Sequence, residues 1–181
     1  MENFVQNMSS PLSLKSLATQ AIITQDIPTP PFSLPSNLLE DLDTIKTCEG
    51  TYQLTSFSAK YFNILTKKPL PMAKTGLFVW ALPDRELTVT REGVDTWRTG
   101  FSSWLVYVKG LRLGRESNTS TKSVCWLDGS TFKKFIKKRN SQIELSQEYC
   151  FGVDDLTVVE TVRDEDDRNR IEILKSKYIK G

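Results

Sequence analysis

Hydrophobic and polar residues follow two different periodicities along the chain, and the change falls near residue 48. Before it, apolar residues recur at every third or fourth position, a pattern that predicts short amphipathic helices. After it, alternating, aromatic and β-branched runs predict strands. We therefore predict an α+β protein, in which a flexible, helical, proline-containing N-terminal arm (residues 1–47) precedes a mainly antiparallel, β-rich globular domain (residues 48–181).

Within the β-rich domain, eight runs predict strands, over 51–57, 60–65, 76–82, 86–92, 122–127, 143–151, 156–162 and 170–179. Two further patterns predict helices between these strands. Apolar residues from Val94 to Val108, among them Trp97 and Trp104, lie at helical spacing. The second predicted helix covers residues 131–139, with Ser130 as its N-cap.

The first helix of the arm carries its apolar residues on one narrow stripe. Ser13 is placed as its N-cap, and the stripe consists of Leu14, Leu17, Ala18, Ala21 and Ile22. A second short helix is expected after Ser36, beyond a proline-rich joint. Helices this short need a packing surface, which is either the domain behind them or another protein.

Residues 13–42 resemble a SOCS box, an adaptor module of ubiquitin ligases. The resemblance rests on Leu14-x-x-Leu17-Ala18-x-x-Ala21-Ile22, then Phe32-Ser33-Leu34-Pro35, then Leu38 and Leu42. It implies that Leu14, Leu17, Ala18 and Ile22 face elongin C, and that Leu34 and Pro35 belong to the segment facing a cullin. The chain departs from the family by having Ala18 where cysteine is usual, and by placing the module before the domain.

Five cations surround apolar residues in the sequence FKKFIKKR, residues 132–139. On the predicted helix, the outer side would present Lys133, Lys134, Lys137, Lys138 and Arg139. Such a face attracts phosphate, so RNA, nucleoprotein or an anionic membrane surface is a candidate partner. The alternative is an ordinary solvated helix face.

The composition removes several kinds of catalytic site. The chain has no histidine, which excludes His-dependent triads and His-containing zinc sites. Nucleophile-elbow, P-loop and dinucleotide motifs do not occur in the sequence. We therefore expect no enzymatic activity, cofactor or metal, although an enzyme built on scattered carboxylates remains an open alternative.

The cysteines and the N-terminus point to the cell interior. Three widely spaced cysteines without a CxxC pair suit reduced thiols better than disulfides. The chain does not open with the basic and apolar pattern of a secretory signal. We expect a cytoplasmic protein.

These observations favour a non-enzymatic interaction protein that docks a partner through its N-terminal helix, possibly as an adaptor to an elongin C and cullin ligase. The alternative is a viral matrix-type structural protein. Such a protein would self-assemble into homo-oligomers and bind membrane or nucleoprotein through the basic face.

Overall fold

A computed structural model describes residues 13–28, 34–63, 83–100, 110–140, 143–164 and 170–181. Over these residues the chain forms two helices, α1 (Leu14–Thr24) and α2 (Ser36–Lys46), followed by ten strands. The strands are β1 (Gly50–Asn63), β2 (Glu86–Arg91), β3 (Thr96–Thr99), β4 (Gly110–Arg112), β5 (Gly114–Ser117), β6 (Thr121–Asp128), β7 (Thr131–Lys138), β8 (Ile143–Phe151), β9 (Asp155–Asp164) and β10 (Arg170–Lys180).

The ten strands form one antiparallel sheet that curls into a nearly closed barrel. Their order is β4-β3-β2-β1-β10-β9-β8-β7-β6-β5, so each strand lies beside its neighbour in sequence and β1 pairs with β10. The two end strands, β4 and β5, are separated along the chain by the single residue Leu113. No ladder joins these two strands within the described residues. We call this break in the barrel the seam.

The predicted strands at 86–92, 122–127, 143–151, 156–162 and 170–179 are confirmed by β2, β6, β8, β9 and β10. The two runs predicted at 51–57 and 60–65 belong to one long strand, β1, with a register shift between Leu54 and Ser56. The strand predicted at 76–82 lies outside the described residues. The coarse expectation of an α+β, mainly antiparallel protein is correct, but the sequence did not predict the barrel.

The helix predicted at residues 131–139 is wrong, because Thr131–Lys138 is strand β7. Gly129, at a φ of 62°, turns the chain between Asp128 and Thr131, which pair across the β6–β7 hairpin. A Gly-Ser pair between two strands is itself a hairpin signal. Pairing with β6 on one side and β8 on the other then outweighs the helical spacing of the apolar residues.

The helix predicted from Val94 to Val108 is also wrong where it can be compared. Trp97 lies on strand β3, paired with Leu111 of β4 and Arg91 of β2. The rest of the predicted helix falls largely on residues 101–109, outside the described residues. Trp97 is fully buried, as an apolar residue in such a run is expected to be. The error lies in the helical spacing assigned to the run.

Both predicted helices of the arm are present and pack on one end of the barrel. Ser13 caps α1 through its side chain, as predicted, whereas α2 begins after Pro35. The two helices share one hydrophobic core with the barrel, to which they contribute Ile23, Leu38, Leu42 and Ile45. The boundary predicted near residue 48 therefore divides helices from strands, but both parts share one hydrophobic core.

Polar contacts also join the helices to the barrel end formed by the β6–β7 turn. The Gln20 side-chain carbonyl accepts a hydrogen bond from the Leu127 amide at 3.0 Å, and the Ser16 hydroxyl donates to Asp128 at 3.3 Å. We call this end the helical end and the opposite part of the barrel the far half. In the described residues, no helix is both long and apolar enough to cross a bilayer.

Candidate functional site

Strand β7 shows which side chains face the interior of the barrel. Phe132, Lys134 and Ile136 are buried, while Lys133, Phe135 and Lys137 at the alternate positions are partly exposed. The Phe132 ring lies 4.9 Å from the ring of Trp97 on β3, a strand on the other side of the seam. This contact crosses the interior, so the alternate residues in register with Phe132 line the inside of the barrel.

Three polar side chains on adjacent strands form a layer inside the barrel. Lys134 of β7 pairs with Gln147 of β8, which pairs with Glu160 of β9. The Gln147 amide nitrogen donates to Glu160 Oε1 at 2.8 Å. We call these three residues the polar layer. The inner residues on either side are mainly apolar, with Phe132, Tyr149 and Val158 toward the helical end and Ile136, Leu145 and Val162 in the far half.

Lys134 is almost completely buried and its amine spans the seam. The amine donates a hydrogen bond to the backbone carbonyl of Gly110 on β4. Burial lowers the pKa of the Lys134 amine to about 8, and the nearby Cys125 and Glu116 oppose this shift. A second side-chain link crosses the seam, where Arg112 of β4 bonds to Glu116 of β5 at 3.2 Å. Hydrogen bonds from side chains therefore link the two sides of the seam, where the described residues form no backbone ladder.

Two buried polar atoms near the polar layer have no hydrogen-bond partner within the described residues. They are the side-chain oxygen of Gln147 and the indole nitrogen of Trp97. The orientation of Gln147 is fixed by Glu160, because only the amide nitrogen can donate to a carboxylate. A buried polar atom without a partner costs about 1–3 kcal/mol, so such atoms are uncommon. Each of these two atoms is a buried group with which a bound molecule could form a hydrogen bond.

Two tyrosines add neutral hydroxyl groups to this part of the interior. The Tyr149 hydroxyl is hydrogen-bonded to the side chain of Thr99, and burial raises the pKa of Tyr149. Burial also raises the pKa of Tyr178 to about 12, and its hydroxyl donates to the Asp84 carbonyl at 3.1 Å. Both tyrosines are therefore protonated near neutral pH and act only as hydrogen-bonding groups.

On the register row of Val158 and Tyr149, part of the inner surface is accessible. Phe57 of β1 is paired with Ser176 of β10, and cross-strand partners lie on the same face of a sheet. Ser176 is buried and alternates with the core residue Tyr178, so this face is the inner one. Phe57 nevertheless has 46% of its surface exposed. An apolar wall of the barrel is thus open to a molecule of suitable size.

The structure places the predicted docking stripe of α1 on the outside of the protein. Leu14 is 84% exposed and Leu17 is 49% exposed, while Ala18 and Ile22 are partly buried. The helix instead buries Ser16, Thr19 and Ile23 against the barrel. Of the predicted cullin-facing residues, Leu34 packs partly against the core and Pro35 is exposed at the start of α2.

The predicted basic face is not formed, because a strand sends alternate side chains to opposite sides. Lys134 points inward, whereas Lys133 and Lys137 lie on the outer side. Each of these two is near a carboxylate, Asp128 at 3.0 Å for Lys133 and Glu144 at 3.7 Å for Lys137.

The other two residues of the basic run lie at the far end of β7. Arg139 is exposed in the β7–β8 turn, with Ser117 Oγ at 3.5 Å from its guanidinium. The side chain of Lys138 lies outside the described residues. Anion binding by this run stays a prediction.

Sequence reasoning missed the polar layer, and one signal was present. Gln147 lies between Leu145 and Tyr149 at alternate positions of a correctly predicted strand. A polar residue on the apolar face of a strand indicates a buried hydrogen-bonding group. The pairing of Lys134 with Gln147 could not be seen while residues 131–139 were taken as a helix.

Comparisons with known proteins do not show a family. No protein-family model and no curated protein matches the chain. Among solved structures, a secretory abundant heat soluble (SAHS) protein from Ramazzottius varieornatus is 19% identical, with a TM-score of 0.41, over 74% of this chain and 94% of that one. Two variants of the fluorescent protein UnaG are 15% identical, with a TM-score of 0.40, over 76% of this chain and 98% of theirs. These values are too low to carry a conclusion about this chain.

Proposed function

We propose that this protein is a non-enzymatic binding protein that holds a small amphipathic molecule inside the barrel. The observation that carries the proposal is the polar layer of Lys134, Gln147 and Glu160, which lies between apolar walls and in which Lys134 and Gln147 are buried. Ligand sites are mostly apolar cavities with a few converging polar groups. In this arrangement the polar groups orient one end of a molecule whose apolar body lies against the walls.

The size of the barrel supports this proposal. Eight strands enclose an interior that side chains just fill or that holds one small ligand, and the diameter grows with strand number. The described residues give this barrel ten strands. At the helical end, aromatic rings fill the wider interior, with Phe132 in ring contact with both Trp97 and Phe151. The inner residues of the far half, Ile136, Leu145 and Val162, have smaller apolar side chains, so we place the apolar body of the ligand there.

The proposal is tested with the uncharged fluorescent dye Nile red, which becomes brighter in an apolar site. Val162→Trp places a large ring on the inner face of β9, and Thr161→Trp places the same ring on the outer face one residue away. We expect Val162→Trp to weaken dye binding by roughly tenfold or more through loss of space. Thr161→Trp is expected to leave dye affinity unchanged. Equal dye binding by both folded variants would contradict a site inside the barrel.

A second candidate function is partner docking through α1, and the outward stripe favours it. The helix turns Leu14 and Leu17 to solvent while burying Ser16 and Thr19, the reverse of what an ordinary surface helix does. We propose that this stripe fits a groove of elongin C, as the SOCS-box resemblance implies. Apolar anchors at positions i, i+3, i+4 and i+7 are those used in helix-in-groove recognition.

Pull-down with purified elongin C tests this second candidate. The double substitution Leu14→Ala and Leu17→Ala is expected to abolish capture without unfolding the chain, because both side chains are exposed. The double substitution Thr24→Ala and Gln25→Ala, at the exposed C-terminal end of the same helix, is the matched control. No capture by the unmodified chain would end the adaptor proposal.

The viral matrix alternative has less support. Lys133 and Lys137 each lie beside a carboxylate, and Lys134 is inside the barrel. These placements weaken a membrane- or nucleoprotein-binding face, although the role of Arg139 stays a prediction. A cytoplasmic location is likewise a proposal, supported by Cys48, Cys125 and the exposed Cys150 all being free thiols.

A further inference from the structure

We infer that the molecule held in the barrel enters and leaves through the wall beside β1, where the inner face is open to solvent. This inference rests on the proposed binding function and identifies the residues that control access to the site. We call this place the β1 opening and define it by the inner residues Phe57, Ala59 and Leu174. The inference depends on the exposure of these residues, on the end of the β1–β2 ladder, and on the cover over the rest of the inner surface.

The β1 opening lies on the same inner face as the polar layer. Ala59 of β1 pairs with Leu174 of β10, which pairs with Glu160 of β9. Glu160 pairs in turn with Gln147, so one row of side chains runs along the wall from Ala59 to the polar layer. Exposure falls along this row, from the exposed Ala59 through the partly buried Leu174 to the buried Gln147. A molecule that reaches Ala59 from solvent therefore contacts the surface that leads to the polar layer.

The pairing of β1 explains why this part of the inner face is exposed. Strand β1 stays paired with β10 to its end, but its ladder with β2 covers only Gly50–Gln53. The Leu54 amide donates one further hydrogen bond, to the Arg85 carbonyl at 2.8 Å. Beyond Leu54, no strand within the described ranges pairs with the other edge of β1. Within those ranges the wall therefore ends beside the inward-facing Phe57 and Ala59.

The rest of the inner surface is covered. At the helical end, α1 and α2 pack against a core of aromatic rings that contact one another. At the seam, hydrogen bonds from Lys134 and Arg112 link the two sides. In the far half, the inner residues Leu145 and Val162 are buried. Among the inner-facing side chains of the part of the chain that the structure describes, only those at β1 are exposed.

The side chains at the β1 opening suit the passage of an apolar molecule. Ala59 and Leu174 are apolar, and Ala59 is small, so the row begins with neither a charge nor a bulky group. Phe57 lies two residues away on the same face and presents apolar surface to solvent. An apolar molecule gains by covering such a surface, because both surfaces are then removed from water. We therefore expect these residues to set the rate of ligand exchange.

Stopped-flow fluorescence with Nile red tests the inference. Ala59→Trp places a large ring at the β1 opening, and Ser58→Trp places the same ring on the outer face one residue away. We expect Ala59→Trp to lower the association and dissociation rate constants of the dye by roughly tenfold each, because an obstructed path slows passage in both directions. The dissociation constant, which is their ratio, should then stay within about twofold. Ser58→Trp is expected to leave both rate constants unchanged.

Two further variants make the test more specific. Ala59→Leu adds a smaller side chain at the same exposed position and is expected to slow both rate constants by about threefold, which keeps the test available if the tryptophan variant does not fold. Arg112→Met removes a side-chain link across the seam. It is expected to leave both rate constants unchanged, because the dye does not pass through the seam.

The outcomes separate the inference from the proposed function. An unchanged association rate constant in the folded Ala59 variants, or equal slowing by Ser58→Trp, would overturn the inference while leaving the binding function intact. Faster exchange in Arg112→Met would overturn it as well, by placing the entry at the seam. Weaker binding by Ala59→Trp at an unchanged association rate constant would show that Ala59 contacts the bound dye and does not control its entry. If the unmodified protein does not bind Nile red, the proposed function fails, and the inference fails with it.

Discussion

The two ends of the barrel use the same inward-facing positions for different purposes. At the helical end, alternate positions carry aromatic rings in contact, and α1 and α2 add four apolar residues to the same core. In the polar layer the corresponding positions carry a lysine, an amide and a carboxylate, and in the far half they carry smaller aliphatic side chains. The helical end therefore supplies stability, and the remainder of the interior retains polar groups that a purely structural core would avoid.

The largest effect is expected from truncating the core of the helical end. Phe132→Ala removes a fully buried ring that contacts both Trp97 and Phe151. We expect a loss of about 3–5 kcal/mol in the free energy of unfolding, measured by urea denaturation. Leu145→Ala, a buried position beyond the polar layer, is the matched truncation in the far half. Equal losses at the two positions would remove the contrast between the ends.

The polar layer makes stability depend on pH through Lys134. Its pKa falls from 10.5 to about 8 on folding because burial disfavours the charged amine. Between these two values the unfolded chain binds the extra proton and the folded chain does not, so this residue makes the protein more stable as pH rises.

Comparison with Lys134→Met isolates that contribution. The stability of the unmodified protein relative to this variant should increase by up to roughly 3 kcal/mol between pH 8 and pH 10.5. Urea denaturation of both proteins at several pH values measures the difference. A constant difference across this range would show that the amine is not desolvated.

The smallest effect is expected on the outer face of α1. Replacing Leu14 and Leu17 by alanine should change the free energy of unfolding by less than about 0.5 kcal/mol, because both are exposed. Ile23→Ala on the buried face of the same helix should cost about 2–4 kcal/mol. A large loss from the leucine pair would mean that the stripe is part of the core, and it would weaken the docking proposal.

The comparison of α1 with β7 shows why local pattern predicted one element and failed for the other. The spacing of Leu14, Leu17 and Ile22, with a capping serine before them, specifies a helix within a dozen residues. Phe132, Phe135 and Ile136 fit helical spacing equally well, and the run FKKFIKK has no strict alternation of apolar and polar residues that would indicate a strand. Backbone pairing with β6 and β8 decides between helix and strand for β7. These pairing partners are known only from the tertiary structure of the whole sheet.

The sequence by itself determined that this protein combines N-terminal amphipathic helices with many strands, and that His-dependent chemistry is excluded. These properties depend on composition and on the spacing of near neighbours. Only the tertiary structure decided that α1 turns its apolar stripe outward, that Lys134 lies inside the barrel, and that Gln147 and Trp97 each keep a buried polar atom without a partner within the described residues. The physical reason is that burial is a property of the packed surfaces, so residues distant in sequence decide which face of an element is inside.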